Sequence, residues 1–343
     1  MDMPIGEWGV RLSEKVGRAL EAGDLAKARE LVQDGDGETR SLAKEYAMMV
    51  GGLGITIRVM TDLAAATVER AKGAPGAEAA AQELKTLIHR FRSDVGGIYD
   101  VEVTPAADVP GEAAALPETY RACLEAFNAD HAALAKEIVA RIEDGDAAAA
   151  QAILQSREAE HYAPFHDRII RFMAESFGWS LRCFGPDELL RFQMDLAEGQ
   201  KSGFEAWEKL PAEEFARISA FLLKQHMGHV EVSEADDRFV IEMSPCGSGG
   251  RLRKSDSYEG EGGDLPFVED SGPLTFGKDR LPVYCSHCPI WNGSATLRWF
   301  GRAQWVFADP ARRDGGCTVH LYKQAGYTPT DYAETVRVDD ASA

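Results

Sequence analysis

Residues 229–246 read His-Val-Glu-Val-Ser-Glu-Ala-Asp-Asp-Arg-Phe-Val-Ile-Glu-Met-Ser-Pro-Cys. His229 to Ser233 alternates and Arg238 to Met243 runs mostly apolar, on either side of the polar turn Glu234-Ala-Asp-Asp237. Two short runs of this kind around a turn predict a β-hairpin, and its second strand delivers Cys246 from its end. Further strand-like runs are Ala303 to Ala308 and Thr318 to Lys323. The C-terminal part is therefore expected to be α+β, with cysteines at strand ends.

Upstream of the hairpin the pattern is helical. Residues 20–32, Leu-Glu-Ala-Gly-Asp-Leu-Ala-Lys-Ala-Arg-Glu-Leu-Val, align with 142–154, Ile-Glu-Asp-Gly-Asp-Ala-Ala-Ala-Ala-Gln-Ala-Ile-Leu. In each copy a helix ends at Gly, Asp caps the next helix, and small and apolar residues recur at helical spacing. A longer helix follows each copy, with Leu42, Tyr46, Met49, Val50 and Leu53 on one face of the first and Ile169, Ile170, Met173 and Phe177 on one face of the second. The expected architecture is a degenerate duplicated helical module (1–115 and 116–228) followed by an α+β cysteine-rich domain (229–343). The Pro- and Ala-rich stretch Thr104 to Glu118 is expected to be a linker or a long loop. Shorter helices are expected at Pro186 to Ala197 and Pro211 to Gln225. Ser255 to Gly272, acidic and glycine-rich, is expected to lack a packed core, as a disordered insertion or a lid over the cysteines, and 338–343 to be a frayed tail.

The chain has 343 residues and a formal charge of −19, which argues against a nucleic-acid partner, since phosphate binding needs clustered Lys and Arg. The most apolar run, Ala47 to Ile57, is too short for a membrane span before Arg58 interrupts it. With no basic region and apolar stretch at the start, the expected location is cytoplasmic. In a reducing compartment close cysteines read as metal ligands or redox pairs.

Four of the six cysteines crowd the C-terminal third: Cys246, the Cys-x-x-Cys pair Cys285 and Cys288, and Cys317. Four thiolates of this kind suit Zn²⁺, either as a closed structural site or as a catalytic site with one position open to water. In the second case Cys246 is the thiol expected to be free. The Gly247-Ser-Gly-Gly250 run beside it would be a tight turn or an anion cradle, and Arg251 a partner for a carboxylate. His320 would face away from Cys317 on a strand, whereas His287 would be a ligand, an outer donor or exposed. Trp291, Trp299 and Trp305 would wall an aromatic pocket or join the core. Cys123 and Cys183 read as small buried hydrophobes, and His226 and His229 as helix-end residues beside a glycine C-cap.

The second polar constellation is Glu158, Glu160, His161, His166 and Asp167, peculiar to the second helical copy. His166 shares a stripe with Ile169, Ile170, Met173 and Phe177. Its ring is expected to point inward, as a satisfied core histidine or as a general base oriented by Asp167.

From Asp237-Arg-Phe239 to Cys246, and again at Cys317-Thr-Val-His-Leu-Tyr322, the pattern resembles the L-2-amino-thiazoline-4-carboxylic acid hydrolase-like family. More loosely it resembles 4-vinyl reductase-type domains, in which cysteines hold zinc beside a hydrophobic ligand pocket. The resemblance spans about residues 229–323 and matches Cys246, Cys285 or Cys288, and Cys317. The Gly-Ser-Gly-Gly run, the insertion after it and the second Cys-x-x-Cys thiol depart from that pattern. The expectation is a small-molecule enzyme, a zinc-containing hydrolase or lyase cleaving a C–N or C–S bond. Its catalytic candidates are His166, Asp167, His161 and Arg251, and its metal candidates Cys246, Cys285, Cys288 and Cys317. The alternative is a small-molecule-binding sensor or accessory protein with a purely structural zinc, with residues 1–115 as a packing partner or a homodimer surface.

Overall fold

The computed structural model describes residues 3–259 and 262–338 and is mainly helical with a small antiparallel sheet. Ten helices come first: α1 (Leu12–Glu21), α2 (Leu25–Asp34), α3 (Ala47–Arg70), α4 (Ala77–Ile98), α5 (Val109–Glu143), α6 (Ala147–Ser156), α7 (Ala163–Phe184), α8 (Pro186–Glu198), α9 (Lys201–Glu208) and α10 (Ala212–Gln225). The hairpin follows as β1 (Val230–Glu234) and β2 (Arg238–Met243), then α11 (Gly249–Lys254) and the two-residue strands β3 (Phe267–Val268) and β4 (Leu281–Pro282). The chain continues through α12 (His287–Pro289), α13 (Ala295–Phe300), β5 (Val306–Asp309), β6 (Cys317–Tyr322) and α14 (Thr330–Val336).

The two aligned stretches form the same turn. Gly23 and Gly145 take φ of 72° and 76°, a left-handed conformation that spares glycine the Cβ clash. The amides of Asp24 and Asp146 reach back to Ala19 O and Arg141 O at 2.9 and 2.8 Å. Their carboxylates cap α2 and α6 by accepting from Lys27 N and Ala149 N, both at 3.0 Å. The resulting helical hairpins pack on each other, with Val16, Leu20 and Leu31 meeting Ile138, Ile142 and Leu154 in a small core of their own.

Two expectations from composition are corrected. The stretch 104–118 is a linker only as far as Asp108, which caps α5 through Gly111 N at 2.8 Å. Pro110 sits in the first turn, where no backbone donor is needed, and Pro117 lies inside the helix. Leu116, Tyr120, Cys123 and Phe127 bury one face of α5 in the main core, and that packing outweighs the proline. The division expected at 115/116 thus falls inside one 35-residue helix. The acidic segment 255–272, apart from residues 260–261, which are outside the described residues, is anchored rather than loose. Tyr258, Leu265 and Val268 are buried in the main core, β3 pairs with β4, and Asp264 accepts from Arg171 at 2.6 Å. Beyond residue 338 the expected tail lies outside the described residues.

The sheet order is β1-β2-β6-β5, all antiparallel. Period-two alternation puts Phe239, Ile241, Met243, Val319 and Leu321 on the inner face, against Phe215, Ala216 and Ala220 of α10 and against Trp8. As expected from the alternation, Cys317 is buried and His320 lies on the other face. The N-terminal segment is tied to this region as well: Lys224 Nζ donates to Val10 O at 3.0 Å, and a Cβ on Gly9 would fall 2.0 Å from Val230 O. The largest core draws side chains from all three sequence segments, from Tyr46 to Ala295.

Residues Leu42–Arg70 are long and apolar enough by composition to cross a membrane, with mean hydropathy 1.3. Met49, Val50, Leu53, Ile57, Met60 and Ala64 nevertheless form the face of α3 that the core buries, which leaves Met48 and Ile55 outside.

Candidate active site

Cys246, Cys285, Cys288 and Cys317 arrive from different elements at one cavity of about 470 Å³. Cys246 follows β2, Cys285 and Cys288 flank the turn into α12, and Cys317 opens β6 opposite Met243. Among the described residues no three His, Cys, Asp or Glu side chains are disposed to hold a metal ion. The thiols instead meet protein partners. Arg253 Nη1 donates to Cys285 Sγ at 3.1 Å and the Ala311 amide to Cys317 Sγ at 3.2 Å. Cys288 lies 3.6 Å from His287 Nε2, and the other ring nitrogen of that histidine is 2.5 Å from Tyr284 O. A carbonyl only accepts, so His287 carries its proton on Nδ1 and Cys288 donates its S–H to Nε2.

One thiol differs from the rest. The hydrogen bond from Cys317 outweighs burial and, with the Gly250 and Ser248 amides, holds Cys246 well below the usual thiol range. Cys317 is driven up by the same bond and by burial. Burial pushes Cys285 up to about 11, against the Arg253 guanidinium, and pushes Cys288 well above its ordinary value. Of the four, Cys246 is therefore the thiol whose ionised form its surroundings favour, and burial disfavours the ionised form of the other three.

The glycine run around Cys246 serves close approach between backbones. A Cβ on Gly247 would lie 2.2 Å from His226 O and 2.4 Å from Gly228 N. One on Gly250 would lie 2.2 Å from Gly315 O, and one on Gly249 would lie 2.9 Å from Cys285 Sγ. Gly228 is constrained from the other side, with a Cβ 2.7 Å from Gly247 N. The Cys246 loop thus docks directly on the end of α10. Gly228 is not the left-handed cap expected there; Met227 takes that conformation at φ 60°.

The end of α10 presents His226 to the cavity. Behind it a hydrogen-bonded line runs through the buried His166 out to the partly exposed Asp167 and Arg251. His226 Nδ1 is 2.8 Å from His166 Nε2, His166 Nδ1 is 2.9 Å from Asp167 Oδ1, and Arg251 Nε donates to the same oxygen at 3.0 Å while Nη2 reaches Oδ2. Asp167 is held below its ordinary value because hydrogen bonds from His166 and Arg251 overcome burial, so it is ionised and accepts only. That fixes the protons down the chain: His166 donates from Nδ1, its Nε2 accepts from His226 Nδ1, and His226 keeps a lone pair on Nε2. Burial lowers both histidines, His226 well below 6.5, so both are neutral near pH 7. Tyr162 fixes the helix end by donating to Gln225 O at 2.5 Å.

His166, Asp167 and Arg251 therefore belong together, as a line leading to the cavity. Arg251 is spent on Asp167 and does not offer itself to a substrate carboxylate. His161 is not brought to the site. A π-helical turn, Arg157–Tyr162, carries it outward, 3.8 Å from Asp130 Oδ2. Trp291 and Trp305 line the cavity, whereas Trp299 points its indole at Glu198, 2.8 Å away. His226, read from sequence as a helix-end residue, is the functional candidate that sequence reasoning missed. Comparison of the chain with protein-family models, with curated proteins and with solved structures finds no match.

Proposed function

We propose that this protein is a small-molecule enzyme that hydrolyses a C–N or C–S bond at an acyl-type carbon, with Cys246 as nucleophile and His226 as base. The observation that carries this reading is the relay Arg251–Asp167–His166–His226, which ends at the same cavity as the one stabilised thiolate. Cys246 attacks the carbonyl carbon, and the nitrogen or sulfur leaving group departs with the C–X bonding pair. As the acyl bond forms, the negative charge that raised Cys317 disappears, so that thiol becomes a proton source when the leaving group needs one. In the second half, His226 Nε2 takes a proton from water while its oxygen attacks the thioester. The thiolate of Cys246 leaves, and the imidazolium returns its proton to Cys317 where that thiol has protonated an amine, or to the released thiolate where it has not. Each cycle consumes one water and releases an acid and an amine or thiol.

The test uses phenyl thioacetate and intact-protein mass spectrometry. The wild-type chain is expected to gain one acetyl group on Cys246 and then lose it. Cys246→Ser gains none, whereas His226→Gln is acetylated and retains the group at least about 10²-fold longer, since general-base catalysis contributes about 10²–10⁴. Rapid deacylation of His226→Gln, or acetylation of Cys246→Ser at the wild-type rate, would overturn the assignment.

A second reading rests on the meeting of four thiols from separate segments. In it Zn²⁺ would be held by Cys246, Cys285, Cys288 and Cys317, ligands of the soft type it prefers, and would serve as a structural tie or a Lewis acid. Arg253 Nη1 already donates to Cys285 Sγ at 3.1 Å, and no step is routed through metal. Metal analysis of purified protein separates the readings: the thiolate site is expected to carry well under one zinc per chain, and about one per chain held through dialysis would favour the second.

A further inference from the structure

Among the described residues no Asp, Glu, Lys or Arg side chain lines the cavity, although charged residues make up 27% of the chain. Its walls are apolar and aromatic: Phe204 and Trp207 on one side, Phe276, Trp291, Trp305 and Phe307 on the other. Its polar side chains are uncharged or imidazole: His226, His287, Ser248 and Asn292, with Thr56, Gln200 and Ser202 beside α3. The wall continues to the surface along α3. Met48 and Ile55, 54% and 57% exposed, both border the cavity, and they are two of the three exposed large hydrophobic residues among those described.

From this we infer that the substrate is an uncharged molecule with an aromatic or similarly flat apolar body, which enters across the Met48–Ile55 rim and places its reacting carbon at Cys246. The inference rests on the proposed active site for the reacting end and on the cavity wall for the rest. Its volume, about 470 Å³, suits a drug-sized ligand. A carboxylate or phosphate on the body would lose its water with no cation to meet it, because Arg251 is bound to Asp167 and Arg253 to Cys285. A cationic group would find no carboxylate in the wall. The selectivity is thus for neutrality and not only for size.

The experiment measures binding by calorimetry on Cys246→Ser, which removes the proposed chemistry, with benzanilide as neutral probe and 4-carboxybenzanilide as its anionic partner. The neutral probe is expected to bind at least about 100-fold more tightly than the carboxylate. Ile55→Glu, a change at the exposed rim, is expected to weaken the neutral probe about tenfold while leaving thermal stability unchanged. Equal or tighter binding of the carboxylate, or no binding of benzanilide while the carboxylate binds, would overturn the inference. Neutral-selective binding by Cys246→Ser together with no acetylation of the wild-type chain by phenyl thioacetate would retain the inference and remove the enzyme reading, so the two fail separately.

Discussion

Lowering the pH from 7 to 5 is expected to remove about 4 kcal/mol of folding stability through His131 and His287, two histidines that the fold keeps neutral. Burial drives His131 down to about 2, His287 down to about 4 and His226 well below 6.5. His131 is packed against Tyr46 and Phe127, and neither of its ring nitrogens has a hydrogen-bond partner. Below pH 6.5 the unfolded chain binds a proton at each of these positions and the native chain refuses it. Their contribution is therefore complete above 6.5 and is lost as the pH falls. His131 and His287 each contribute about 1.4 kcal/mol per pH unit, or about 2 kcal/mol by pH 5, and His226 acts in the same direction. Glu45 works the other way, since burial raises its carboxyl and favours proton uptake in the folded state, so it offsets part of the loss. Urea midpoints at pH 7, 6 and 5 measure the effect, and His131→Phe should flatten the profile by up to about half. A midpoint unchanged between pH 7 and 5 would refute this account of the buried histidines.

Gly247→Ala is expected to cut Cys246 acetylation by about 10²–10³-fold, on the reasoning that about 1 Å of misplacement of a reacting group costs about 10². The new methyl would stand 2.2 Å from His226 O, and both neighbours within 2.5 Å are backbone atoms that cannot rotate aside. The Cys246 loop must then lift from the end of α10, which separates thiolate from imidazole, and overpacking costs a further 1–3 kcal/mol or so of stability. Gly51→Ala is the matched control. Nothing lies within 4 Å of its Cβ, the residue is in α3, and the change should leave acetylation intact and add up to about 1 kcal/mol through helix propensity. Wild-type acetylation by Gly247→Ala would show that the close contact between loop and helix does not position the site.

The parts of this fold that were legible in the sequence are those governed by local periodicity. The hairpin 230–243 announces itself because Val230, Val232, Phe239 and Ile241 share one buried face of the sheet. The Gly-Asp turns at 23–24 and 145–146 were readable because a left-handed glycine and an aspartate cap are both local devices. Composition misled where packing decides. Pro117 suggested a break, but the apolar face of α5 holds the helix through it. The acidic 255–272 segment hid Tyr258, Leu265 and Val268 among residues that say nothing about burial.

The site was half legible for the same reason. Four cysteines in one third of the chain signalled a shared location, yet only tertiary contacts distinguish the Cys246 thiolate from three thiols. Helical spacing turned His166 inward, as expected. His226, 60 residues away, had no local signal that it would meet that ring at 2.8 Å. His161 was grouped with His166 and Asp167 by closeness in sequence alone, and the π-helical turn before α7 carries it outward. The glycines of 247–250 fit a flexible cradle in sequence, whereas their use here is to let three backbone segments, 226–228, 247–250 and Gly315, touch.

The central claim is that Cys246 is ionised at rest and shares its cavity with a neutral His226, and the rate of Cys246 acetylation by phenyl thioacetate between pH 6 and 8.5 tests it most directly. A thiolate already formed gives a rate that is flat across this range, within about twofold, with the label on Cys246 alone. A rate that climbs about tenfold per unit below pH 8.5, as an ordinary thiol of pKa about 8.5 requires, would contradict the account, as would labelling that falls first on Cys285, Cys288 or Cys317.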